Sequence, residues 1–222
     1  MNVLVVNTKA YREGTGKNAL ELAKMMEKVG EEYDVKMIIA VQPSDIFMVA
    51  EEVEIDVYSQ HMDAIDYGSH TGWILPQAIK EAGAAGTIIN HSEHRMKIED
   101  IFMAMEKARK IGLKTIICAG SVEVARAVAT LKPDYVAIEP PELIGGDISV
   151  TKAKPEVVKN AVGAVKEINR DVEVLCGAGI KDGRDVAKAI ELGAKGILVA
   201  SGVVKAKKRE EVIEEMARAM IR

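Results

Sequence analysis

Two polar segments of the chain carry residue types that could move a proton. Asn90-His91-Ser92-Glu93 follows a short apolar run of β type, and Glu139 ends another such run two strand–helix units later. The histidine and the carboxylate can converge only if both strands deliver residues to the same end of a parallel sheet. An imidazole and a carboxylate at one site are typical of general acid–base catalysis.

The segment behind Glu139 has the composition of a lid. Pro140-Pro141 stiffens the backbone directly after the carboxylate, Ile144 belongs to an apolar tip, and Gly145 begins a pair of glycines that can act as a hinge. Closing Ile144 over Glu139 would desolvate the carboxylate and raise its basicity. The sequence therefore predicts a base whose chemistry is shielded from water.

Composition and charge exclude several kinds of partner. The 222 residues, 48% of them hydrophobic and 29% charged, suit one α/β domain spanning residues 1–222. A net charge of −4 offers no basic footprint for nucleic acid. No apolar run is long enough to cross a bilayer, and the chain begins with a strand-like run and not with a signal segment. Cys118 and Cys176 lie far apart in apolar runs, which predicts free thiols, so we expect a cytoplasmic protein with no membrane partner.

Eight β-type runs alternate strictly with eight amphipathic, helix-type segments. The predicted strands are 3–6, 35–40, 55–59, 86–89, 115–118, 135–138, 173–176 and 196–199. The predicted helices are 18–29, 44–51, 73–82, 98–111, 122–131, 155–169, 182–192 and 210–221. Strict alternation predicts a parallel α/β sheet, and eight such units close into a single (β/α)8 barrel. We also expect left-handed backbone at the glycines that stand shortly before strands, namely Gly30, Gly83, Gly112 and Gly193.

In a (β/α)8 barrel, the active site lies at the carboxyl ends of the strands. Small residues follow strands 7 and 8 there, as Gly-Ala-Gly at 177–179 and Ala-Ser-Gly at 200–202, so backbone N–H groups could approach an anion closely. These two loops form a phosphate site in many barrels, and we predict one here. Lys9, at the end of strand 1, is placed to attract the same anionic substrate, with Glu93 as its ion-pair partner.

His91 admits two roles. Together with His94, His61 and His70 it could bind a metal, but no pair of carboxylates at ligand spacing accompanies these residues, so we expect no metal site. Its position suggests another role, because the N-terminus of the following predicted helix would disfavour the protonated ring. A neutral imidazole there could donate a hydrogen bond to a substrate oxygen that is becoming negative.

Taken together, the motifs at the strand ends resemble the triosephosphate isomerase family, in its short archaeal form. They extend over the whole chain and are, in order, Asn7-Thr8-Lys9, Gln60-His61, Ser69-His70-Thr71-Gly72, Asn90-His91-Ser92-Glu93-His94-Arg95, and the segments 139–145, 176–180 and 200–202. This family is the standard example of a glutamate base, a neutral histidine and a closing loop in a TIM barrel.

The resemblance implies interconversion of glyceraldehyde 3-phosphate and dihydroxyacetone phosphate, without a cofactor or a metal. It implies that Glu139 is the base, that His91 polarises the carbonyl, and that Lys9 adds positive charge near the developing enediolate. Ser92 would hold Glu139 in the open state, and Glu93 would hold Lys9. The residues implied to bind the substrate or to cover its phosphate are Asn7, Lys9, Ile144, Gly145, Gly179, Ala200 and Ser201.

The resemblance also implies a homo-oligomer, with a tetramer favoured over a dimer. The segment 61–72 after the third predicted strand is long for a βα connection, and it carries Tyr67 and His70 with Trp73 directly behind it. Aromatic residues of this kind suit an interface between subunits. We therefore expect two copies of the chain to meet at this segment.

Two other classes of protein share part of this pattern. Another phosphate-binding barrel enzyme, such as a ketose-phosphate epimerase or an enzyme of the indole pathway, would share the loops after strands 7 and 8. It would not need the His-Ser-Glu segment or the lid. A non-catalytic, phosphate-sensing barrel would need neither His91 nor Glu139.

Overall fold

The computed structural model describes residues 1–140 and 155–221 and shows a closed barrel of eight parallel strands. The strands are β1 (Val3–Asn7), β2 (Lys36–Val41), β3 (Asp56–Ser59), β4 (Gly86–Ile89), β5 (Lys114–Ala119), β6 (Tyr135–Ile138), β7 (Glu173–Cys176) and β8 (Gly196–Val199). They pair in chain order, and β1 closes the barrel by pairing with β8. The predicted (β/α)8 architecture is confirmed.

Helices connect the strands around the outside of the barrel. In the described ranges they are α1 (Lys17–Tyr33), α2 (Ile46–Ala50), α3 (Pro76–Glu81), α4 (Ile98–Lys110), α5 (Val122–Ala129), α6 (Pro155–Ile168), α7 (Gly183–Glu191), α8 (Ser201–Val204) and α9 (Arg209–Met220). The sequence prediction misses α8, because four residues are too few to show an amphipathic period. None of these described helices is long and apolar enough to span a bilayer.

The core has two parts, because successive side chains of a strand point to opposite faces. Val5 and Leu198 belong to the cluster inside the barrel, whereas Leu4 and Val6 belong to the larger cluster that includes the helices. Cys118 and Cys176 pack in this core as small apolar residues do, and both are buried free thiols. Packing on both faces fixes the strands, and thereby fixes the start of each loop that follows a strand.

The end of helix α1 corrects one sequence prediction. The helix continues through Gly30 to Tyr33, and the left-handed residue that follows is Asp34, with φ of 51°. Gly30 is needed for close packing instead, since a Cβ there would lie 2.8 Å from Met37 Cγ. The predicted left-handed backbone is found at the other three glycines, Gly83, Gly112 and Gly193.

The start of helix α3 corrects a second sequence prediction. The helix begins at Pro76 and not at residue 73, because proline suits the first helical position, where a backbone N–H has no intrahelical acceptor. The preceding residues belong to the loop after β3. Asp63 and Ile74 close the base of this loop, with Asp63 N–H donating to Ile74 O at 2.9 Å and Ile74 N–H donating to Asp63 Oδ2 at 2.6 Å.

Candidate active site

A cavity of about 350 Å³ opens at the carboxyl ends of the strands. The residues singled out from the sequence that line it are Asn7, Lys9, His91, Glu139, Gly179, Ala200 and Ser201. The other residues that line it are Tyr11, Gly177, Ile180, Lys181, Leu198, Val199 and Gly202. The expected lid residues Ile144 and Gly145 lie outside the described residues.

Glu139 lies directly after β6 and lines the cavity. Its backbone N–H donates to Ala119 O at 2.8 Å, which continues the strand pairing into the site. The residue is only 2% exposed, and its side chain packs against Gly177, which follows the neighbouring strand β7. A Cβ at position 177 would lie 2.5 Å from Glu139 Cγ, so the carboxylate can occupy this place only if residue 177 is glycine.

The environment of Glu139 makes it a stronger base than an ordinary glutamate. Burial is the main cause, and it raises the pKa of Glu139 to about 7, although the Cys118 thiol and the positive charges of Lys9 and Arg95 oppose the rise. Within the described part of the chain, Glu139 Oε2 is buried and has no hydrogen-bond partner. A carboxylate of this kind is desolvated and has one oxygen available to accept a proton.

His91 is held as a neutral imidazole with a defined tautomer. Its Nδ1 accepts a hydrogen bond from the backbone N–H of Glu93 at 3.2 Å, so the ring proton resides on Nε2. Nε2 faces the cavity, 3.6 Å from Glu139 Oε1. Burial, followed by the positive charge of Lys9, lowers the pKa of His91 to about 4.

The cause of this low pKa differs from the sequence prediction. Helix α4 begins only at Ile98, so its N-terminus is not adjacent to His91. A tight turn follows the histidine instead, in which His94 N–H donates to His91 O at 2.9 Å. This turn supplies the backbone N–H that fixes the tautomer.

Lys9 has a strained backbone and a well-held side chain. Its φ of 49° lies in the left-handed region, which is uncommon for a residue with a side chain. The backbone is held there because Lys9 N–H donates to Asn7 Oδ1 at 2.9 Å, and Gln60 Nε2 donates to Lys9 O at 2.9 Å. The ammonium lies 2.8 Å from Glu93 Oε1, as the sequence predicts. Glu93 is thus bound to both Lys9 and His91, and it ties the two cavity residues together.

Several residues that position the site had no role in the sequence prediction. Asn90, with φ of 60°, donates from Nδ2 to Cys118 O at 3.0 Å and accepts Met96 N–H at Oδ1 at 3.0 Å. Arg95 Nη1 donates to Asn90 O at 2.9 Å. These bonds fold the loop after β4 back onto β5 and hold His91 in place. The position of Asn90, directly beside His91 at a strand end, was the available signal, but its partners become visible only in three dimensions.

Ser92 does not make the contact that the resemblance implies. Its hydroxyl is buried and has no hydrogen-bond partner in ranges 1–140 and 155–221, so it does not hold Glu139 in this structure. The Glu139 carboxyl instead lies against Gly177, with Oε1 toward His91.

The far side of the cavity is lined by backbone. Gly179 has φ of 69°, and Ser201 opens helix α8, where first-turn N–H groups have no intrahelical acceptor. A Cβ at Gly202 would lie 3.0 Å from Ile180 O, so the loops after β7 and β8 pack closely together. Backbone N–H groups on two adjacent loops, at the start of a short helix, suit an anion such as phosphate.

The other histidines lie apart from this cavity. His61 and His94 stack with their ring centroids 4.0 Å apart, and His61 Nε2 lies 3.3 Å from Asp63 Oδ1. Among the described residues, no group of three His, Cys, Asp or Glu side chains is arranged to hold a metal ion.

A (β/α)8 barrel with a buried carboxylate, a neutral histidine and a lysine around one cavity has the arrangement of enzymes that transfer protons. Residues 2–216 match the sequence profile of the family described as triosephosphate isomerase. The chain belongs to this family, and its enzyme class is that of an isomerase.

Curated relatives agree along nearly the whole chain. A triosephosphate isomerase from Methanothermus fervidus is 53% identical over 218 residues, covering 98% of each chain. One from Methanocaldococcus jannaschii is 54% identical over 214 residues, covering 96% of this chain and 98% of that one. The resemblance to the archaeal form of the family is thereby confirmed.

A solved structure gives the same fold at much lower sequence identity. Triosephosphate isomerase from Bartonella henselae superposes with a TM-score of 0.77 at 19% identity, covering 100% of this chain and 99% of that chain. At 19% identity, the similarity shows only that the two chains share a fold. The identity of the family therefore rests on the archaeal sequences and the family profile.

Proposed function

We propose that the chain, as a single domain of residues 1–222, interconverts D-glyceraldehyde 3-phosphate and dihydroxyacetone phosphate with Glu139 as the base. One observation supports this above the others. A buried carboxylate with a pKa of about 7 lies 3.6 Å from the Nε2 of a neutral histidine, inside one cavity. A coupled assay that follows dihydroxyacetone phosphate formed from glyceraldehyde 3-phosphate tests the proposal directly.

The proposed reaction is two proton transfers through one intermediate. Glu139 removes the proton from C2 of the aldehyde, and the electron pair moves to the carbonyl oxygen, which gives an enediolate. The Nε2–H of His91 donates a hydrogen bond to that oxygen and then carries protons between the two oxygens. Glu139 returns its proton to C1, which gives the ketone and restores the base. No cofactor and no metal are needed in this sequence.

Charge and hydrogen bonding around the substrate favour the intermediate. The Lys9 ammonium lines the cavity and is proposed to stabilise the enediolate, and Glu93 preorganises it at 2.8 Å. Asn7 lines the cavity beside it and is proposed to bind the substrate. The phosphate is proposed to bind the backbone at Gly179, Ala200 and Ser201. Ile144 and Gly145 remain predicted to cover it.

The pH dependence of the base follows from its burial. Because burial opposes ionisation, we expect the Glu139 carboxyl to titrate near its raised pKa of about 7, so the base is protonated on the acid side and ionised on the alkaline side. The specificity constant kcat/KM should therefore rise as the pH increases through the pKa of Glu139. His91 should stay neutral throughout, because its pKa is lowered to about 4.

Carbon-13 NMR of the glutamate carboxyl carbons measures this titration without substrate. The spectrum of Glu139→Gln assigns the signal, since only that signal disappears. A midpoint near the usual 4.5 would contradict the expected burial effect.

We propose that the protein assembles as a homotetramer with two kinds of contact. The first is the loop after β3, where Tyr67 is 69% and Trp73 59% exposed although both are large and apolar. The second is helix α4, on which Ile98, Phe102 and Met103 are all exposed. Exposed apolar clusters of this kind mark contact surfaces between proteins.

Sedimentation of matched variants separates the two contacts. We expect a tetramer for the wild type and a dimer for Phe102→Glu. Trp73→Glu should lose the loop contact, so it should also sediment as a smaller species than the tetramer. Phe47→Glu is the control, because Phe47 is equally exposed but belongs to α2 and therefore to neither surface. A wild-type monomer at micromolar concentration would contradict the proposal, and a wild-type dimer would reject the second contact.

The proposed substrates indicate the pathway and the cellular location of the enzyme. Both are intermediates of glycolysis and gluconeogenesis, which supports a cytoplasmic location. The partners proposed for the chain are the small phosphorylated triose and further copies of itself, with no nucleic acid and no membrane.

A further inference from the structure

A cation–π contact involves Tyr11, a residue of the cavity lining that has no part in the proposed proton transfer. The Nζ of Lys205 is 4.0 Å from the centroid of the Tyr11 ring. Tyr11 itself lines the cavity, whereas Lys205 directly follows helix α8, whose first residues line the same cavity. The pair therefore connects the loop after β1 with the loop after β8.

The backbone of Tyr11 is held in a turn by its own neighbours. Tyr11 O accepts hydrogen bonds from Gly14 N–H at 3.0 Å and from Thr15 Oγ1 at 2.8 Å. Gly14 lets this turn pack against helix α8, because a Cβ there would lie 2.7 Å from Thr8 Cβ and 3.0 Å from Val204 Cγ1. Both partners of the cation–π contact thus stand on backbone that is packed together.

Lys205 and Lys9 differ in what surrounds their positive charges. Lys9 is paired with Glu93 at 2.8 Å, but no carboxylate of residues 1–140 and 155–221 forms an ion pair with Lys205. An ammonium held against an aromatic face keeps its full charge while its position becomes restricted. This charge can act on an anion that enters the cavity.

We propose that Tyr11 and Lys205 form a coupled pair that holds a positive charge at the cavity rim and favours entry and binding of the substrate phosphate. In this pair Tyr11 is a positioning residue that acts through Lys205. The inference deepens the proposed function and rests on it for the identity of the substrate. The pair acts alike on substrate and transition state, so its loss should raise KM more than it lowers kcat.

The test compares kcat and KM for D-glyceraldehyde 3-phosphate at low salt. Lys205→Met should lower kcat/KM about three- to tenfold, as expected for one steering charge at a cavity mouth. Tyr11→Leu should lower it about two- to fivefold, and Tyr11→Phe should stay close to wild type, because the ring is what holds the cation. Lys207→Met is the matched control, since Lys207 is an exposed lysine two positions along the chain and, among the described residues, it makes no cation–π contact with Tyr11.

Two further readouts distinguish this pair from a structural effect. The double variant Tyr11→Leu with Lys205→Met should be no worse than Lys205→Met alone, and all losses should shrink at high salt, where exposed charges are screened. Losses that multiply, or a Lys207→Met loss equal to that of Lys205→Met, would overturn the inference. Calorimetric binding of inorganic phosphate tests the pair independently. If the wild type fails to isomerise the triose, the proposed function is wrong. Weaker phosphate binding by Lys205→Met than by Lys207→Met would still support the role of the Tyr11–Lys205 pair. Equal phosphate binding by the two variants would overturn that role.

Discussion

Replacing Glu139 with glutamine should leave a folded protein with almost no turnover. A positioned general base contributes about 10²- to 10⁴-fold to a rate, and a carboxamide cannot accept the proton. Glutamine has the same shape and no charge to desolvate. Because burial raises the pKa of Glu139 from 4.5 to about 7, the wild-type fold loses stability as the pH rises between these two values, and the loss is complete above them. The coupled assay should thus show the loss of kcat, while the unfolding temperature on the alkaline side of pH 7 should be no lower than that of the wild type.

Glu139→Asp is the matched variant for position. It keeps the carboxylate but withdraws it by one methylene, and a misplacement near 1 Å can lower a rate by about 10²-fold. We expect aspartate to retain partial kcat with little change in KM. Both variants should still bind a phosphate-bearing mimic of the enediolate, because the loops after β7 and β8 are unaltered. Near-wild-type turnover in Glu139→Gln would contradict the assignment, and equal losses in the two variants would show that position is not limiting.

His91→Gln should lower kcat far more than it raises KM. The Nε2–H matters mainly as the carbonyl oxygen becomes negative, so its contribution appears in the transition state. Loss of one preorganised donor of this type lowers a rate by about 10²- to 10³-fold. Steady-state kinetics of the purified variant measure both constants.

His94→Gln is the control for this substitution. His94 lies three residues further along and stacks on His61, but it does not line the main cavity, so the variant should stay close to wild type. If the purified wild type instead carries stoichiometric zinc that His91→Gln abolishes, the hydrogen-bonding role is wrong and His91 is a metal ligand.

The sequence predicted the parts of this site that depend on strand order. Eight alternating elements predict the barrel, and the barrel rule then places His91 and Glu139 at one rim although they are far apart in the chain. The Lys9–Glu93 ion pair could be predicted in the same way, because both residues follow strands. Element type and strand order are enough for such predictions.

Other features depend on distances that a sequence pattern does not contain. Gly177 looks like one more small residue of a phosphate loop, yet its lack of a side chain makes room for Glu139. The tautomer of His91 depends on a single backbone N–H in the turn that follows it. The prediction of a left-handed residue at Gly30 was wrong, because a sequence does not distinguish a glycine needed for close packing from a glycine needed for a left-handed turn.

The most direct test of the proton-transfer mechanism is proton NMR of the triose pool formed by the purified wild-type protein in D2O. Starting from D-glyceraldehyde 3-phosphate, we expect dihydroxyacetone phosphate that carries deuterium at C1 in part of the molecules. The reason is that the proton taken by Glu139 can exchange with solvent before it is returned. An unchanged aldehyde would contradict the proposed activity, and a ketone formed without any deuterium would contradict proton transfer through Glu139.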